Sequence, residues 1–292
     1  MDAHTHTQPS ATATAQFFHR IGMPAPPGVA GTADELLAVM DRAGIRRTTI
    51  VPWLPAQDLV AQAVAAGADR DRAVEAVVEE WRELNRWAAA AVTEHPGRLA
   101  CLVGLDPVLM PAALVEEEVA TRVREGATGL KIAPMFLGVH PDDEACEIVW
   151  RLAKEHGIFV LSESGVLAGG WGHPRHFGAV LRAYPDVVVQ LAHLGNGAEE
   201  DVARLTARYP NVVTDTSLRL DGWASPEDLV ALLRRIGVDR VLFGTNFPIV
   251  EPAVYAATLR ALPLTDEELA LVGGANAERF LGAGPVAPPT VR

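Results

Sequence analysis

The sequence predicts an α/β fold, a (β/α)8 TIM barrel built as a single domain. Three observations predict it. Short apolar, β-branched runs alternate with longer amphipathic runs up to residue 281. The last five apolar runs begin at residues 129, 158, 187, 212 and 241, steps of 25 to 29 residues that each fit one strand plus one helix. The stretches rich in Pro, Thr, Ala and Gly lie near the two ends, at 8–31 and 283–292, so no linker divides the middle of the chain.

The elements follow in order. Residues 1–3 just before His4 supply a short first strand, and further strands are expected at 48–52, 99–104, 129–133, 158–163, 187–193, 212–217 and 241–246. Helices are expected at 34–43 before Gly44, 71–94 before Pro96, 141–156 before Gly157, and from Ser225-Pro226-Glu227 to Gly237. Ser225 reads as an N-cap with proline at the first helical position. Eight such units fill a barrel of the usual size, about 250 residues. A doubly wound open sheet also alternates strand and helix, but no GxGxxG or GxxxxGK[ST] follows any strand, and eight units exceed what open sheets commonly use. The barrel is expected to occupy residues 1–282, with a tail at 283–292. Surplus length after the first two strands, about 7–31 and 53–69, reads as lid loops over the C-terminal face, where barrel active sites sit.

Charge and cysteine usage exclude several classes. With 25 Lys+Arg against 37 Asp+Glu, the net charge of −12 and the lack of any basic run speak against nucleic acid and anionic membranes as partners. Cys101 and Cys146 form no CxxC pair, which removes zinc-ribbon and thiol-redox chemistry and suits a reducing compartment. No run approaches the roughly 18 apolar residues of a membrane span, so a cytoplasmic enzyme with a small-molecule substrate is expected.

Chemistry gathers at the strand ends. Reading off each predicted strand yields His4 and His6, then Trp53, Asp106, Lys131, Glu163, His193, Asp215 with Ser217, and Asn246. Packing does not explain so many polar groups behind apolar runs, because each costs several kcal/mol to desolvate unpaired. His4 and His6 are two apart on an extended chain and reach one side together, a half-site for a divalent metal. His95, His140 and His156 fall at helix ends or in loops and read as solvated or capping groups. His19, His173 and His176 lie near the predicted mouth, and Cys101 reads as core. Lys131 reads either as a carboxylate anchor or as a barrel-interior ion pair with Asp106 or Asp215.

Seven segments in order resemble the amidohydrolase-related barrel family, the group that includes aminocarboxymuconate-semialdehyde decarboxylase and gamma-resorcylate decarboxylase. They are Asp2-Ala-His-Thr-His6, Arg98-Leu-Ala-Cys-Leu-Val-Gly-Leu-Asp-Pro107, Gly129-Leu-Lys-Ile132, Leu191-Ala-His-Leu-Gly195, Asn211-Val-Val-Thr-Asp-Thr-Ser217, Asp239-Arg-Val-Leu-Phe-Gly-Thr-Asn-Phe-Pro248 and Gly274-Ala-Asn-Ala-Glu-Arg279. The resemblance implies a metal held by the HxH pair, a His ending the fifth strand and an Asp ending the eighth, with a His ending the sixth as acid or base. His4, His6 and His193 match. Where the family has His-Thr-Gly this chain reads Glu163-Ser-Gly165, and where it has Ser-Asp-Phe-Pro it reads Thr245-Asn-Phe-Pro248.

An amide cannot act as a base, yet exchanging a His and an Asp for Glu163 and Asn246 keeps one negative charge in the set. The expected site therefore holds one divalent ion, Zn or Fe or Mn, on His4, His6 and Glu163 with Asn246 assisting. His193, free of the metal, moves the proton, and Glu163 and Asn246 complete the catalytic group. Lys131, Trp53, Trp171 and Asp215 are the expected substrate contacts, Asp215 also reading as a partner that orients a ligand. The reaction is hydrolysis or non-oxidative decarboxylation of a small carboxylate or carbonyl compound. Three alternatives stand beside it: a metal-independent lactonase-type hydrolase, a non-catalytic barrel that binds a small acid, and Fe(II)-dependent chemistry at a two-His, one-carboxylate site. A homodimer is implied by the resemblance alone.

Overall fold

Eight parallel strands follow one another around a barrel in sequence order in the computed structural model, which describes residues 1–282. They are β1 (Asp2–Thr5), β2 (Thr48–Ile50), β3 (Leu99–Gly104), β4 (Gly129–Ile132), β5 (Phe159–Ser162), β6 (Val189–Leu191), β7 (Val212–Asp215) and β8 (Val241–Leu242). The seam between last and first strand closes through a Thr5–Phe247 bridge, with Ala3 N donating to Phe243 O at 2.8 Å and Asn246 N to His4 O at 2.8 Å. Asp2 locks the same seam. Its carboxylate accepts from His4 N (3.2 Å), Thr245 N (3.1 Å) and Thr245 Oγ1 (2.6 Å). Burial pushes this carboxyl up to about 7.

Side chains alternate with period two between the lumen and the helical layer. Leu102, Leu161, Val213 and Leu242 share the inner cluster, while their neighbours Val103, Val160, Val212 and Val241 join the outer one. Leu130 and Ile132 also join the outer cluster, which turns Lys131 inward. Counting two residues on from Leu161 and Val213 delivers Glu163 and Asp215 to the same inner mouth.

The helices are α1 (Ala11–Arg20), α2 (Ala33–Ala43), α3 (Ala56–Ala65), α4 (Arg70–Glu94), α5 (Ala112–Arg124), α6 (Pro134–Leu137), α7 (Glu144–His156), α8 (Phe177–Ala183), α9 (Glu199–Arg208), α10 (Pro226–Ile236), α11 (Pro252–Ala261), α12 (Asp266–Ala270) and α13 (Asn276–Leu281). Ser225 caps α10 as expected, its side chain accepting from Asp228 N. α7 starts three residues later than expected because Asp143 is its cap, and Gly157 ends it in the left-handed region. Among the described residues, no helix is long and apolar enough to cross a membrane.

Two expectations change here. The sixth and eighth strands end earlier than 193 and 246: His193 (φ 62°) and Leu194 (φ 53°) take left-handed backbone and turn out of the sheet, and after Leu242 the amides of Phe243, Gly244 and Thr245 donate to Val272 O, Thr216 Oγ1 and Asp2 Oδ1. The segments 7–31 and 53–69 are not loops: they carry α1 and α3. Ser10 caps α1, Gln8 N donates to Gly31 O at 2.8 Å across the base of the first segment, and Phe17 and Phe18 bury against Trp53. The tail at 283–292 lies outside the described residues.

Candidate metal and proton-transfer site

His4 and His6 end β1 with their Nε2 atoms 3.3 Å apart. His6 Nδ1 lies 2.8 Å from the Val51 carbonyl, which can only accept, so Nδ1 carries the hydrogen and Nε2 the lone pair. His4 Nδ1 lies 3.2 Å from Asp215 Oδ2 and is fixed likewise. Burial lowers the His4 pKa despite Asp215, and burial with the charges of His4 and Lys131 takes His6 well below its ordinary range. Two neutral lone pairs thus meet at close range. Asn246, whose backbone N donates to His4 O at 2.8 Å, has a buried Oδ1 with no hydrogen-bond partner. Two imidazole lone pairs and an orphaned amide oxygen are a donor set that fits a divalent cation.

Asp215 sits beneath His4 with every oxygen engaged. Oδ2 accepts from His4 Nδ1 and from Gln190 Nε2 (2.7 Å), and Oδ1 accepts from His193 N (3.3 Å), Ser217 N (3.0 Å) and Ser217 Oγ. Burial works to raise its pKa, but its contact with His4 and these donors hold it well below the usual carboxylate range. Asp215 was expected to meet substrate. Its saturated carboxylate instead fixes His4, the orienting role also read from the sequence. Gln190 was missed, though a lone amide within the apolar run Val187-Val-Val-Gln-Leu191 is the kind of signal that marks a buried polar partner.

His193 holds a second device. Its Nδ1 lies 3.0 Å from the Ser217 carbonyl and 2.7 Å from Ser217 Oγ, so Nδ1 donates. Its Nε2 then faces both oxygens of Glu163, each at 3.2 Å. A lone pair and a carboxylate do not face one another without a hydrogen between them, so the pair holds one shared proton. Burial would lower His193, but the Glu163 charge and hydrogen bond raise it. Burial would raise Glu163, but His193 and Lys131 hold it at about 2.

Here the structure departs from the expected ligand set. Among the described residues, the three ligand-type side chains whose atoms all lie within 4.8 Å of one another are His4, His193 and Asp215, not His4, His6 and Glu163. Glu163 is drawn away by two cationic partners, His193 and Lys131, whose Nζ lies 3.7 Å from Glu163 Oε2. Lys131 was expected to pair with Asp106 or Asp215 if its role were structural. Glu163 is the partner instead, and Asp106 takes its donors from Val108 N, Leu109 N and Gln57.

The aromatics divide. Trp53 lies over His6 with ring centroids 6.4 Å apart and packs on Phe17 (5.6 Å) and Phe136 (4.9 Å). Beyond Phe17 and Trp53, between α1 and α4, opens a cleft of about 310 Å³. Trp171, expected at the substrate, is 36% exposed with its ring 4.7 Å from that of His140, while the next residue, Gly172, lies against the backbone of Glu163 and Ser164.

The barrel carries a cluster of ligand-type histidines and carboxylates at the ends of its strands. A family model described as amidohydrolase matches residues 2–283, and the chain belongs to that family. Among solved structures it is similar to an uncharacterised TIM-barrel protein from Bordetella bronchiseptica (18% identity, TM-score 0.73, covering 96% of this chain and 97% of that one). It is also similar to 2,6-dihydroxybenzoate decarboxylase from Rhizobium (17% identity, TM-score 0.69, 96% and 98% covered). A third is a dihydroxybenzoic acid decarboxylase from Polaromonas sp. JS666, which holds manganese and the inhibitor 2-nitroresorcinol (18% identity, TM-score 0.66, 96% and 96% covered). No curated protein matches the sequence.

Proposed function

We propose that this protein is a metal-dependent enzyme that removes carbon dioxide from a small carboxylic acid without oxidation. The observation that carries the reading is the contact of His193 Nε2 with both Glu163 oxygens, at 3.2 Å, next to two histidine nitrogens suited to a cation. His4 and His6 would hold the ion, with Asn246 Oδ1 as the oxygen donor. A bound divalent ion supplies positive charge that polarises a substrate carboxylate or carbonyl oxygen. Manganese, held by the Polaromonas relative, stands beside zinc and iron as the candidate.

The chain's own residues do the rest. Loss of CO2 leaves an electron pair on carbon, and a proton must replace the carboxyl group there. His193 Nε2 holds that proton at a buried site, and the Glu163 carboxylate keeps it on the ring until the acceptor carbon arrives. Ser217 fixes the ring from behind. Trp53 and Phe17 keep water from the His6 side, and the α1 and α3 segments act as the lid through which substrate arrives from the neighbouring cleft. Decarboxylases among the solved relatives support the choice of reaction.

A second reading, hydrolysis, is favoured by the amidohydrolase family match. Glu163 would be a weak base for water there, because His193 and Lys131 hold its carboxyl at about 2. We take the enzyme to be a cytoplasmic homodimer, on the family resemblance and on two buried, free cysteines. Carbon dioxide release from a panel of hydroxylated aromatic and unsaturated acids, with metal-loaded and chelator-treated protein, tests the function. Release that needs metal supports decarboxylation; bond cleavage without CO2 supports hydrolysis, and no turnover of any acid or ester rejects both.

A further inference from the structure

A group of aromatic side chains meets on the barrel rim, away from the metal and proton-transfer residues. Between α6 and α7, His140 stacks on His176 with ring centroids 3.7 Å apart and 16° between the planes. Its Nδ1 donates to the Trp171 carbonyl at 3.0 Å, and the Trp171 ring lies 4.7 Å away. His176 Nε2 accepts from Arg175 Nε at 3.1 Å, which it can do only as a neutral imidazole. Beside them, His173 Nδ1 accepts from Arg175 N at 3.3 Å, and its Nε2 lies 3.7 Å from Asp201 Oδ2 of α9.

These contacts join two loops. His140 belongs to the one before α7, and Trp171, His173, Arg175 and His176 to the one that leads from Glu163 to α8. That second loop returns on its own start: Gly165 N donates to Gly172 O at 3.0 Å, and a Cβ on Gly172 would stand 3.0 Å from Glu163 O. Positive φ at Gly169 (79°) and Gly170 (75°) bends it, a conformation that glycine adopts freely. Beneath it a narrow space is bounded by Met135, Glu163, Ser164, Leu167 and Gly172.

A proton on His176 turns its acceptor into a donor facing Arg175 and sets a cation between that guanidinium and the His140 ring. Arg175 and His173 on its own loop and His140 across from it disfavour the proton, Asp142 ahead of α7 favours it, and Asp201 of α9 faces His173. Burial, and after it His140, outweigh Asp142 and hold His176 below its ordinary value of 6.5. The neutral stack is therefore favoured above that pH and is given up as pH falls below it. We infer that the His140–His176 stack is an acid-released staple, which holds the loop that follows Glu163 against the neighbouring loop and lets it open in acid. It stands on these contacts, whether or not the function proposed above holds.

Hydrogen exchange of residues 164–176, read by mass spectrometry at pH 7.5 and 5.5 and corrected for intrinsic rates, tests it without turnover. Protection of the wild type should fall by at least about tenfold at pH 5.5. His176→Gln keeps an acceptor for Arg175 and His176→Phe keeps a ring on His140, and neither takes a proton. In both, protection at pH 5.5 should stay within about threefold of that at pH 7.5. Equal protection of the wild type at both pH values, or the wild-type loss in a folded neutral variant, overturns the inference. Where neither variant folds, NMR of the wild type decides: the Trp171 indole signal should move with the His176 titration below pH 6.5, and a fixed indole signal counts against the staple. Acid-dependent opening in a protein that turns over no acid or ester would leave the staple standing and reject the proposed reaction.

Discussion

Glu163 and His193 face each other across the ends of β5 and β6, with both carboxylate oxygens 3.2 Å from His193 Nε2 while the Ser217 carbonyl holds Nδ1. In the proposed mechanism this pair holds the transferred proton, and removing the carboxylate charge has a defined cost. Glu163→Gln keeps the shape and removes the charge that keeps the ring protonated. Turnover should fall by about 10²–10⁴-fold, the usual worth of a positioned acid, with metal content unchanged. Steady-state kinetics with elemental analysis of the same sample checks both. Loss of metal in this variant would restore Glu163 to the ligand set that the sequence suggests.

His4 Nδ1 lies 3.2 Å from Asp215 Oδ2, so the carboxylate should govern metal affinity through the orientation of His4. Asp215→Asn should weaken metal binding by about 10–100-fold. His6→Ala removes a donor outright and should weaken it at least as much. Both are read by equilibrium dialysis against manganese or zinc. Saturating metal should also raise the unfolding free energy of the wild type by about 2.7 kcal/mol at a hundredfold excess over Kd, and of His6→Ala far less.

Asp106 gives the stability a pH dependence. Burial pushes its carboxyl from 3.8 up to about 6, against the donors Leu109 N, Val108 N and Gln57. The folded state therefore binds a proton more tightly than the unfolded chain. Its stabilising contribution is fully present below about pH 4 and is lost as pH rises through about 6. Relative to Asp106→Asn, the wild type should lose on the order of 2–3 kcal/mol between those limits. Urea unfolding of both proteins at pH 4 and pH 7.5 measures it, and a pH-independent difference would contradict the assignment.

Asp2 ties the barrel seam to the site, since its carboxylate holds the backbone of His4 and the side chain of Thr245, next to Asn246. Asp2→Ala strands these donors in the interior and should cost about 1–3 kcal/mol. Metal affinity should fall as well, because His4 and Asn246 lose their shared anchor. A loss of stability with unaltered metal affinity would confine Asp2 to the seam.

Much of this was legible in the sequence for a simple reason. A barrel strand turns alternate residues inward, so polar residues behind apolar runs mark the mouth, as Lys131, Glu163 and Asp215 do. Pairings across strands were not legible. Spacing places Glu163 and His193 at neighbouring strand ends but does not say that the carboxylate turns to His193 and Lys131 rather than to His4 and His6. Backbone was the other gap. The left-handed turn at His193 shortens β6, and side-chain acceptors on Thr216 and Asp2 take the amides beyond β8, neither of which the spacing announces. Helices α1 and α3 escaped notice because Pro- and Ala-rich flanks mask their period, whereas Ser10 before α1 is a cap that can be read directly.

The central claim is that the proton on the His193–Glu163 pair replaces carbon dioxide on the substrate carbon. Turnover of an accepted acid by metal-loaded enzyme in D2O, followed by NMR of the product and measurement of released CO2, tests it most directly. One CO2 per turnover and one deuterium at the carbon that bore the carboxyl group are expected, with both lost together in His193→Asn. A product formed without CO2 and carrying oxygen from solvent water would contradict it.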